Sequence, residues 1–185
     1  LTALQVLYVV MFKNLNSQAA LGQGYTNNSS AYRDTGATDT KGMTYGTNAG
    51  ATANDTVKFL GIEDFYGNLY QWIDGFVSAS NAVKIADGEF SDNGANYEEH
   101  AVPSMNIGGY IADVVGDNKL AFTPKKTNGS DATYYCDYCN LYSGYVPIFG
   151  GSRSVGARAG AFFFNCYYLA SGAFPYVGAR LPFCG

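Results

Sequence analysis

Residues 144–183 read GYVPIFGGSRSVGARAGAFFFNCYYLASGAFPYVGARLPF, and they combine a regular frame with irregular side chains. The frame consists of Gly150 and Gly151, then Gly156, then AGAF at 159–162 and VGARL at 177–181. The positions between them show neither the alternation of a half-buried strand nor the period of an amphipathic helix. This pattern indicates a fixed backbone that carries exchangeable side chains, as in a binding face. We predict that the ligand-binding residues are Arg153, Ser154, Val155, Ala157, Arg158, Asn165, Cys166, Tyr167, Tyr168, Phe174, Pro175 and Tyr176.

The same stretch lacks five types of residue. From residue 144 to the end of the sequence there is no Lys, Glu, Gln, Met or Trp. These are the five amino acids that no codon ending in a pyrimidine encodes. Targeted mutagenesis of the adenines in AAY codons would leave this composition, so the composition favours a segment that has been diversified.

The frame GG…AGAF…VGARL resembles the variable region of the target proteins of diversity-generating retroelements. Residues 61–75, GIEDFYGNLYQWIDG, are similar to the GN-x-W-E/Q-W strand of the same proteins, and the resemblance covers about two thirds of the chain. It implies an α+β, C-type-lectin-like fold of the formylglycine-generating-enzyme subtype. Such a fold has short mixed or antiparallel sheets, an N-terminal core helix and long loops.

The resemblance also implies a function. Proteins of this kind are tail-tip adhesins of phages or displayed bacterial surface proteins, so we expect a receptor-binding domain on a virion tail tip or a cell surface. Its ligand would be a cell-surface protein or glycan, bound by a variable region at about residues 134–178. Relatives on phage tails are often trimers, which implies a homotrimer. The alternative is a lectin-like structural component of a virion that is not diversified.

Several residues are expected to be structural. Gly150, Gly151 and Gly160 belong to the frame, and Trp72 is expected to anchor the core beneath the binding surface. Gln71 should hydrogen-bond to a buried loop backbone, because a buried amide must find partners. In the resembling fold the residue that matches Arg180 is structural. We expect Arg180 to fix loop backbone, with a carboxylate partner among Asp64, Glu63 and Asp74.

Composition limits the function classes. The 185 residues suit one domain, 1–185, which we expect to be the C-terminal domain of a longer protein. Only 14% of the residues are charged and the net charge is −4, so no basic stripe exists for nucleic acid. The apolar run at residues 6–12 is far shorter than the roughly 20 residues that span a membrane. Tyr is abundant, with 16 residues, which suits a paratope-like surface.

Catalysis and cofactors are not expected. Iron enzymes of related folds need two histidines and a carboxylate, whereas this sequence has only His100. The formylglycine-generating oxidases of related folds need a paired cysteine site. The sequence around Cys136 and Cys139 departs from that motif. An acidic loop contains residues of the types that ligate calcium, but their spacing matches no calcium loop: Asp87, Glu89, Asp92 and Asn93. We therefore predict no enzyme activity, no metal and no cofactor.

The four cysteines allow three interpretations. They are Cys136, Cys139, Cys166 and Cys184. A chain of this length does not need disulfides to fold, so we favour incidental products of variation. One disulfide and a metal site remain as alternatives.

Periodicity predicts the main elements. Apolar residues at helical spacing predict a helix over residues 1–15. Residues 16–24 are predicted to lie beyond the end of this helix. Residues 25–54 should form a long loop with one short strand at 42–45. Strands are predicted at 57–62, 69–73, 76–85, 133–138, 141–145, 155–158, 160–165 and 177–183, and a strand or short helix at 107–115.

Overall fold

The computed structural model describes residues 17–28, 30–46, 55–116, 119–120, 123–132 and 137–179. Within these ranges the chain is mostly β-structure with very little helix. Helix α1 is Ser17–Leu21, and a 3-10 turn covers Gly156–Arg158. The strands are β1 Lys58–Phe59, β2 Ile62–Glu63, β3 Tyr70–Trp72, β4 Phe76–Ser78, β5 Ala82–Ile85, β6 Glu98–Ala101, β7 Ile107–Tyr110, β8 Asp113–Val114, β9 Pro124–Lys126, β10 Tyr138–Leu141, β11 Val146–Phe149, β12 Phe164–Tyr168 and β13 Val177–Gly178.

A six-stranded mixed sheet forms the centre of the domain. Its strand order is β13-β3-β11-β12-β10-β7. The β13–β3 and β10–β12 pairs are parallel, and the other neighbours are antiparallel. Smaller sheets are formed by β1-β2, β4-β5-β6 and β8-β9. The prediction of short strands in mixed sheets is therefore confirmed.

One face of the central sheet, the inner face, covers the hydrophobic core. Phe149 and Gln71 are paired across β11 and β3 and share this face. Phe149 packs with Phe59, Phe65, Tyr66 and other buried residues in the larger core cluster, and Leu141 and Cys166 belong to a second cluster. Burying a side chain of the size of Phe or Leu contributes about 1.5–3 kcal/mol, so this face supplies much of the free energy of folding.

The predicted hydrogen bond of Gln71 is present. Its Nε2 donates to the backbone oxygen of Asp64 at 3.1 Å. Arg180 lies outside the described residues, and two of its expected carboxylate partners bind other groups. Asp64 accepts from Asn68 Nδ2 at 2.8 Å, and Glu63 accepts the backbone N–H groups of Gly36 and Thr38 at 2.7 and 2.6 Å.

Glu63 is held ionised by these contacts. Burial would raise the pKa of its carboxyl, but the hydrogen bonds from the Thr38 hydroxyl and from the backbone N–H groups of residues 36–38 outweigh burial and lower it. Glu63 thus fixes the loop beside β2.

The glycine frame brings distant backbone segments into contact. Gly150 and Gly151 have φ of 86° and 82°, a region that disfavours residues with a Cβ. A Cβ at Gly151 would lie 2.6 Å from the Cβ of Ala159, and one at Gly160 would overlap the Asp137 carboxylate. The fully buried Asp137 accepts the Phe162 N–H at 2.6 Å.

Several predicted elements are wrong in detail. Residues 57–62 form a hairpin instead of one strand, with Leu60 and Gly61 both at positive φ (49° and 80°), as a type I′ turn requires. Residues 76–85 are likewise the paired strands β4 and β5. Residues 42–45 contain only an isolated bridge, from Tyr45 to Lys58.

Four other predictions were also tested by the described residues. Residues 141–145 are mainly the turn between β10 and β11, and residues 155–158 contain the 3-10 turn instead of a strand. Residues 107–115 hold the two strands β7 and β8, and a strand inside 69–73 is confirmed as β3. The predicted helix at 1–15 lies outside the described residues. Helix α1 occupies part of the stretch predicted to have left the helix, and Gly22, with φ of 106°, follows its end.

Candidate functional site

The candidate site is the other face of the central sheet, which we call the outer face. The pairs Trp72–Ile148 and Ile148–Asn165 show which side chains share this face. Tyr70 also points there, because side chains two residues apart in a strand lie on the same side. Ile148 is fully buried under the surrounding rings, so the outer face has an apolar floor.

A β-bulge decides which tyrosine reaches the outer face. Val146 pairs with Tyr168 and Pro147 pairs with Cys166, so Tyr167 is an extra residue in β12. Such a bulge reorients the side chains that follow it. Without it, Tyr168 would point to the same side as Cys166. With it, the ring of Tyr168 packs against the Trp72 ring at 6.4 Å with the two planes perpendicular.

The prediction that Cys166 contacts a ligand is wrong. Its side chain is fully buried on the inner face, and its thiol donates to the Tyr145 backbone oxygen at 3.2 Å. Burial raises the pKa of this thiol to about 12. Cys139 is also buried, and both are free thiols. Neither forms a disulfide, whereas Cys136 and Cys184 lie outside the described residues.

Five rings form a continuous row on the outer face, which we call the aromatic row. Tyr70 lies 6.0 Å from Tyr176, Tyr176 stacks on Phe174 at 5.3 Å, and Phe174 packs against Tyr168 at 5.1 Å. Trp72 completes the row beside Tyr168. Each such ring pair contributes about 0.5–1.5 kcal/mol beyond area burial. The row is therefore a pre-organised surface.

The chain is folded back on itself to build this row. The Tyr70 N–H donates to the Tyr176 backbone oxygen at 3.0 Å, and β13 then pairs with β3 in parallel. The Val177 N–H donates to the Phe174 oxygen at 3.2 Å, which closes the turn that contains the exposed Pro175. Residues from β3 and from the C-terminal loop thus meet on one surface.

The hydroxyls of Tyr168, Tyr176 and Tyr70 influence one another. Burial, together with the neighbouring Tyr176 and Tyr70, raises the pKa of Tyr168 to about 12. Burial also raises the pKa of Tyr70, while a hydrogen bond with Ser152 and the charge of Arg158 act in the opposite direction. Tyr70 and Tyr168 therefore stay protonated at neutral pH and can donate hydrogen bonds there.

The two predicted arginines differ in their environment. The guanidinium of Arg158 lies 4.7 Å above the Tyr138 ring at the edge of the aromatic row, and the residue is exposed. The guanidinium of Arg153 instead donates to the Asn28 backbone oxygen at 3.0 Å and lies 4.3 Å over the ring of Tyr32. Arg153 thus fastens the loop of residues 25–33 to the frame.

The remaining predicted residues lie around the aromatic row or near one of its members in the sequence. Val155 packs against the cluster of Tyr70 and Ile148, and Ser154 and Ala157 are exposed. The Asn140 amide donates to the Asn165 side-chain oxygen at 3.3 Å. Tyr167 is 53% exposed and stacks on Tyr145 at 5.3 Å.

Sequence reasoning missed part of the site. Tyr70 was not singled out, although its two-residue spacing from Trp72 in a strand was a usable signal. Leu169, which is 58% exposed directly after β12, was also missed, and the sequence offers no signal for it. Tyr138 lies in the predicted variable region, 134–178, but is not among the predicted contact residues. Tyr134 and Tyr135 of that region lie outside the described residues.

Charge is divided unevenly along the chain. All 15 acidic residues lie at or before Asp137, together with eight of the 11 basic residues, so this part carries −7. The remainder, from Tyr138 onward, holds three arginines and no acidic residue, so it carries +3. The segment that supplies most of the outer face is therefore cationic within an anionic domain.

An acidic cleft of about 460 Å³ lies beside β3 and β13 and is lined in part by Asp39, Glu63 and Gln71. Glu63 and Gln71 in this cleft are already hydrogen-bonded to loop backbone. Within the described ranges, no group of three or more His, Cys, Asp or Glu side chains is placed to hold a metal ion. No helix in the same ranges is long and apolar enough to cross a bilayer.

Comparisons with known proteins give no family assignment. The sequence matches no model of a protein family, and no curated protein matches it.

Proposed function

We propose that this chain is a ligand-binding domain with a C-type-lectin-like fold, of the kind diversified by a retroelement. Its outer face recognises a cell-surface protein or glycan. One observation carries the proposal: residues that the sequence marks as exchangeable come from separate segments and meet on the outer face. These residues are Val155, Arg158, Tyr168, Phe174 and Tyr176.

The side chains of this surface suit recognition. Tyr, Trp and Arg dominate the binding energy of protein interfaces. Tyr offers a large contact area with few rotatable bonds, so its immobilisation costs little entropy. Because the aromatic row is already packed before a ligand arrives, little ordering is left for the binding step.

The frame suits exchange of these side chains. Backbone hydrogen bonds join the frame directly, for example from the Gly160 N–H to the Gly150 oxygen at 3.2 Å. Such bonds do not depend on the identity of the side chains nearby. A change at Arg158 or Tyr176 then alters the ligand and leaves the fold intact, since function resides in the site and not in the fold.

The proposal includes display on a virion tail tip or a cell surface, as a homotrimer, and action by binding alone. The one histidine, His100, lies on β6 in the separate sheet β4-β5-β6, with Nε2 3.7 Å from a Glu98 carboxylate oxygen. This sheet shares no strand with the central sheet that carries the aromatic row.

The second candidate is a structural virion domain without a ligand. The extent of ring packing favours it, because Trp72, Tyr168, Phe174 and Tyr176 contact one another and are only half-exposed. In a single sequence, aromatic residues that serve packing alone would look the same as aromatic residues that bind a ligand.

Sequencing the 3′ end of the gene from its native population separates the two candidates. The diversified binder predicts substitutions concentrated at positions such as Val155, Arg158 and Tyr176, while Gly150 and Gly160 stay constant. A reverse transcriptase gene nearby, with a template repeat of this segment, should accompany them. An even scatter of conservative changes would support the structural domain instead.

A further inference from the structure

Arg158 is an exposed cation with unused hydrogen-bonding capacity. Among the described residues no carboxylate forms an ion pair with it, although Arg33, Lys119 and Lys125 each have such a partner. A guanidinium has five N–H donors in a planar fork that matches a carboxylate. The position of the group over Tyr138 orients the fork and leaves the residue exposed.

The side chains beside Arg158 are aromatic: its guanidinium lies over Tyr138 and its charge acts on Tyr70, whose ring contacts Tyr176. Ala157 is next to it in the sequence. The exposed Pro175 separates Phe174 from Tyr176 in the sequence, and the rings of those two residues stack on each other at 5.3 Å. Tyr167 and Leu169 extend the apolar surface along and beyond β12. Exposed aliphatic and aromatic groups around a single arginine are typical of protein–protein contact residues, whereas a neutral sugar would leave the charge without a partner.

We propose that Arg158 binds a carboxylate of a protein ligand, namely an Asp or Glu side chain flanked by an apolar residue that packs on Phe174 and Pro175. The inference rests on the proposed function of the outer face and names the ligand chemistry of that face.

The charge distribution adds a second, independent argument. Arg158 belongs to a segment without acidic residues in a domain of net charge −4, so its charge attracts an acidic partner to this face. Electrostatic complementarity of this kind fixes the orientation of a complex more than its affinity.

The test uses two blocked dipeptides, acetyl-Glu-Phe-amide and acetyl-Gln-Phe-amide, titrated into the isotope-labelled domain and followed by NMR. They differ in one charge. We expect the Glu peptide to bind about fivefold more tightly and to shift the Nε–H resonance of Arg158. The preference should shrink as salt rises, because the pair is exposed.

Three variants locate the effect. Arg158→Gln should remove the preference for the Glu peptide, and Arg158→Lys should retain only part of it, because a lysine lacks the bidentate fork. Lys126→Gln removes the same charge from an exposed position on β9 and should leave the preference unchanged. Equal binding of the two peptides by the unmodified domain, or an unchanged preference in Arg158→Gln, would overturn the inference.

A sugar pair completes the test. Sialyllactose and lactose are titrated in the same way, and discrimination between these two without discrimination between the peptides would contradict a protein ligand. The population sequencing described above is independent of these titrations. If the gene varies at the outer face while the peptides bind equally, the carboxylate inference fails and the proposed function stands.

Discussion

The two faces of the central sheet use similar residues in different states. On the inner face Phe149, Leu141 and Cys166 are at most 1% exposed. On the outer face Tyr168 and Trp72 are half-exposed, and their rings pack mainly against other rings. Neighbouring residues of one strand lie on opposite sides, so a single-residue step decides whether a side chain supports the fold or the surface. Four substitution experiments test this comparison, in order of decreasing expected effect.

The inner face should respond most strongly. We expect Phe149→Ala to lower the free energy of unfolding by about 3–5 kcal/mol, because it opens a cavity in a packed core. Phe174→Ala, on the outer face, should cost only about 1–3 kcal/mol, the sum of its ring contacts with Tyr168 and Tyr176. Urea unfolding followed by far-UV circular dichroism measures both. Equal losses of unfolding free energy in the two variants would show that Phe174 belongs to the hydrophobic core as fully as Phe149 does.

The frame should respond next. Gly151→Ala places a Cβ against Ala159 in a left-handed backbone conformation, and we expect a loss of about 1–3 kcal/mol. Gly116→Ala is the matched control, because no heavy atom lies within 4 Å of a Cβ there. Its effect should stay within about 0.5 kcal/mol. Urea unfolding again measures both variants. If Gly151→Ala is as stable as Gly116→Ala, the argument for a fixed frame fails.

The bulge in β12 separates two adjacent residues. Cys166→Ser places a hydroxyl in an apolar site and should cost about 1–3 kcal/mol if the hydroxyl is poorly paired there. Tyr167→Ser alters an exposed side chain and should cost about 1 kcal/mol or less. Differential scanning calorimetry on the two variants gives the order. The reverse order would mean that the strand register differs from the one described.

The smallest effect appears at alkaline pH. The pKa of Tyr168 is raised to about 12 from an ordinary value of 10. Its contribution to stability is therefore complete below pH 10 and is lost as pH rises towards 12. Tyr168→Phe should lose less stability than the unmodified domain between pH 9 and pH 11, and Tyr167→Phe serves as the control. An identical pH dependence in all three proteins would contradict the buried setting of the Tyr168 hydroxyl.

The sequence predicts the local features of this domain better than it predicts how its strands pair. The alternation of Tyr70, Gln71 and Trp72 predicts β3, and the amide of Gln71 makes the expected hydrogen bond. The hairpin at Leu60 was not predictable, because Leu has no preference for positive φ and tertiary contacts impose it. The turn within residues 76–85 lacks glycine and proline, and only Ser80 and Asn81 mark it, which is a weaker signal.

The site was predictable in part for the same reason. The irregular positions of residues 153–176 indicate a surface, and most of them surround the aromatic row or lie near it in sequence. The side of the sheet on which Tyr168 lies depends on the register shift beside Pro147, which the sequence of β12 alone could not show. The role of Arg153 depends on contact with a loop more than a hundred residues away in sequence.

The central claim is that an exchangeable outer face is carried on a fixed inner face, and two matched libraries on yeast test it most directly. Both randomise six positions with codons ending in a pyrimidine, and protease resistance measures the folded fraction. The outer library varies Val155, Ala157, Arg158, Tyr167, Phe174 and Tyr176, and the inner library varies Cys139, Leu141, Phe149, Phe162, Phe164 and Cys166. The account predicts that most outer variants remain folded and that nearly all inner variants do not. Similar folded fractions in the two libraries would contradict it.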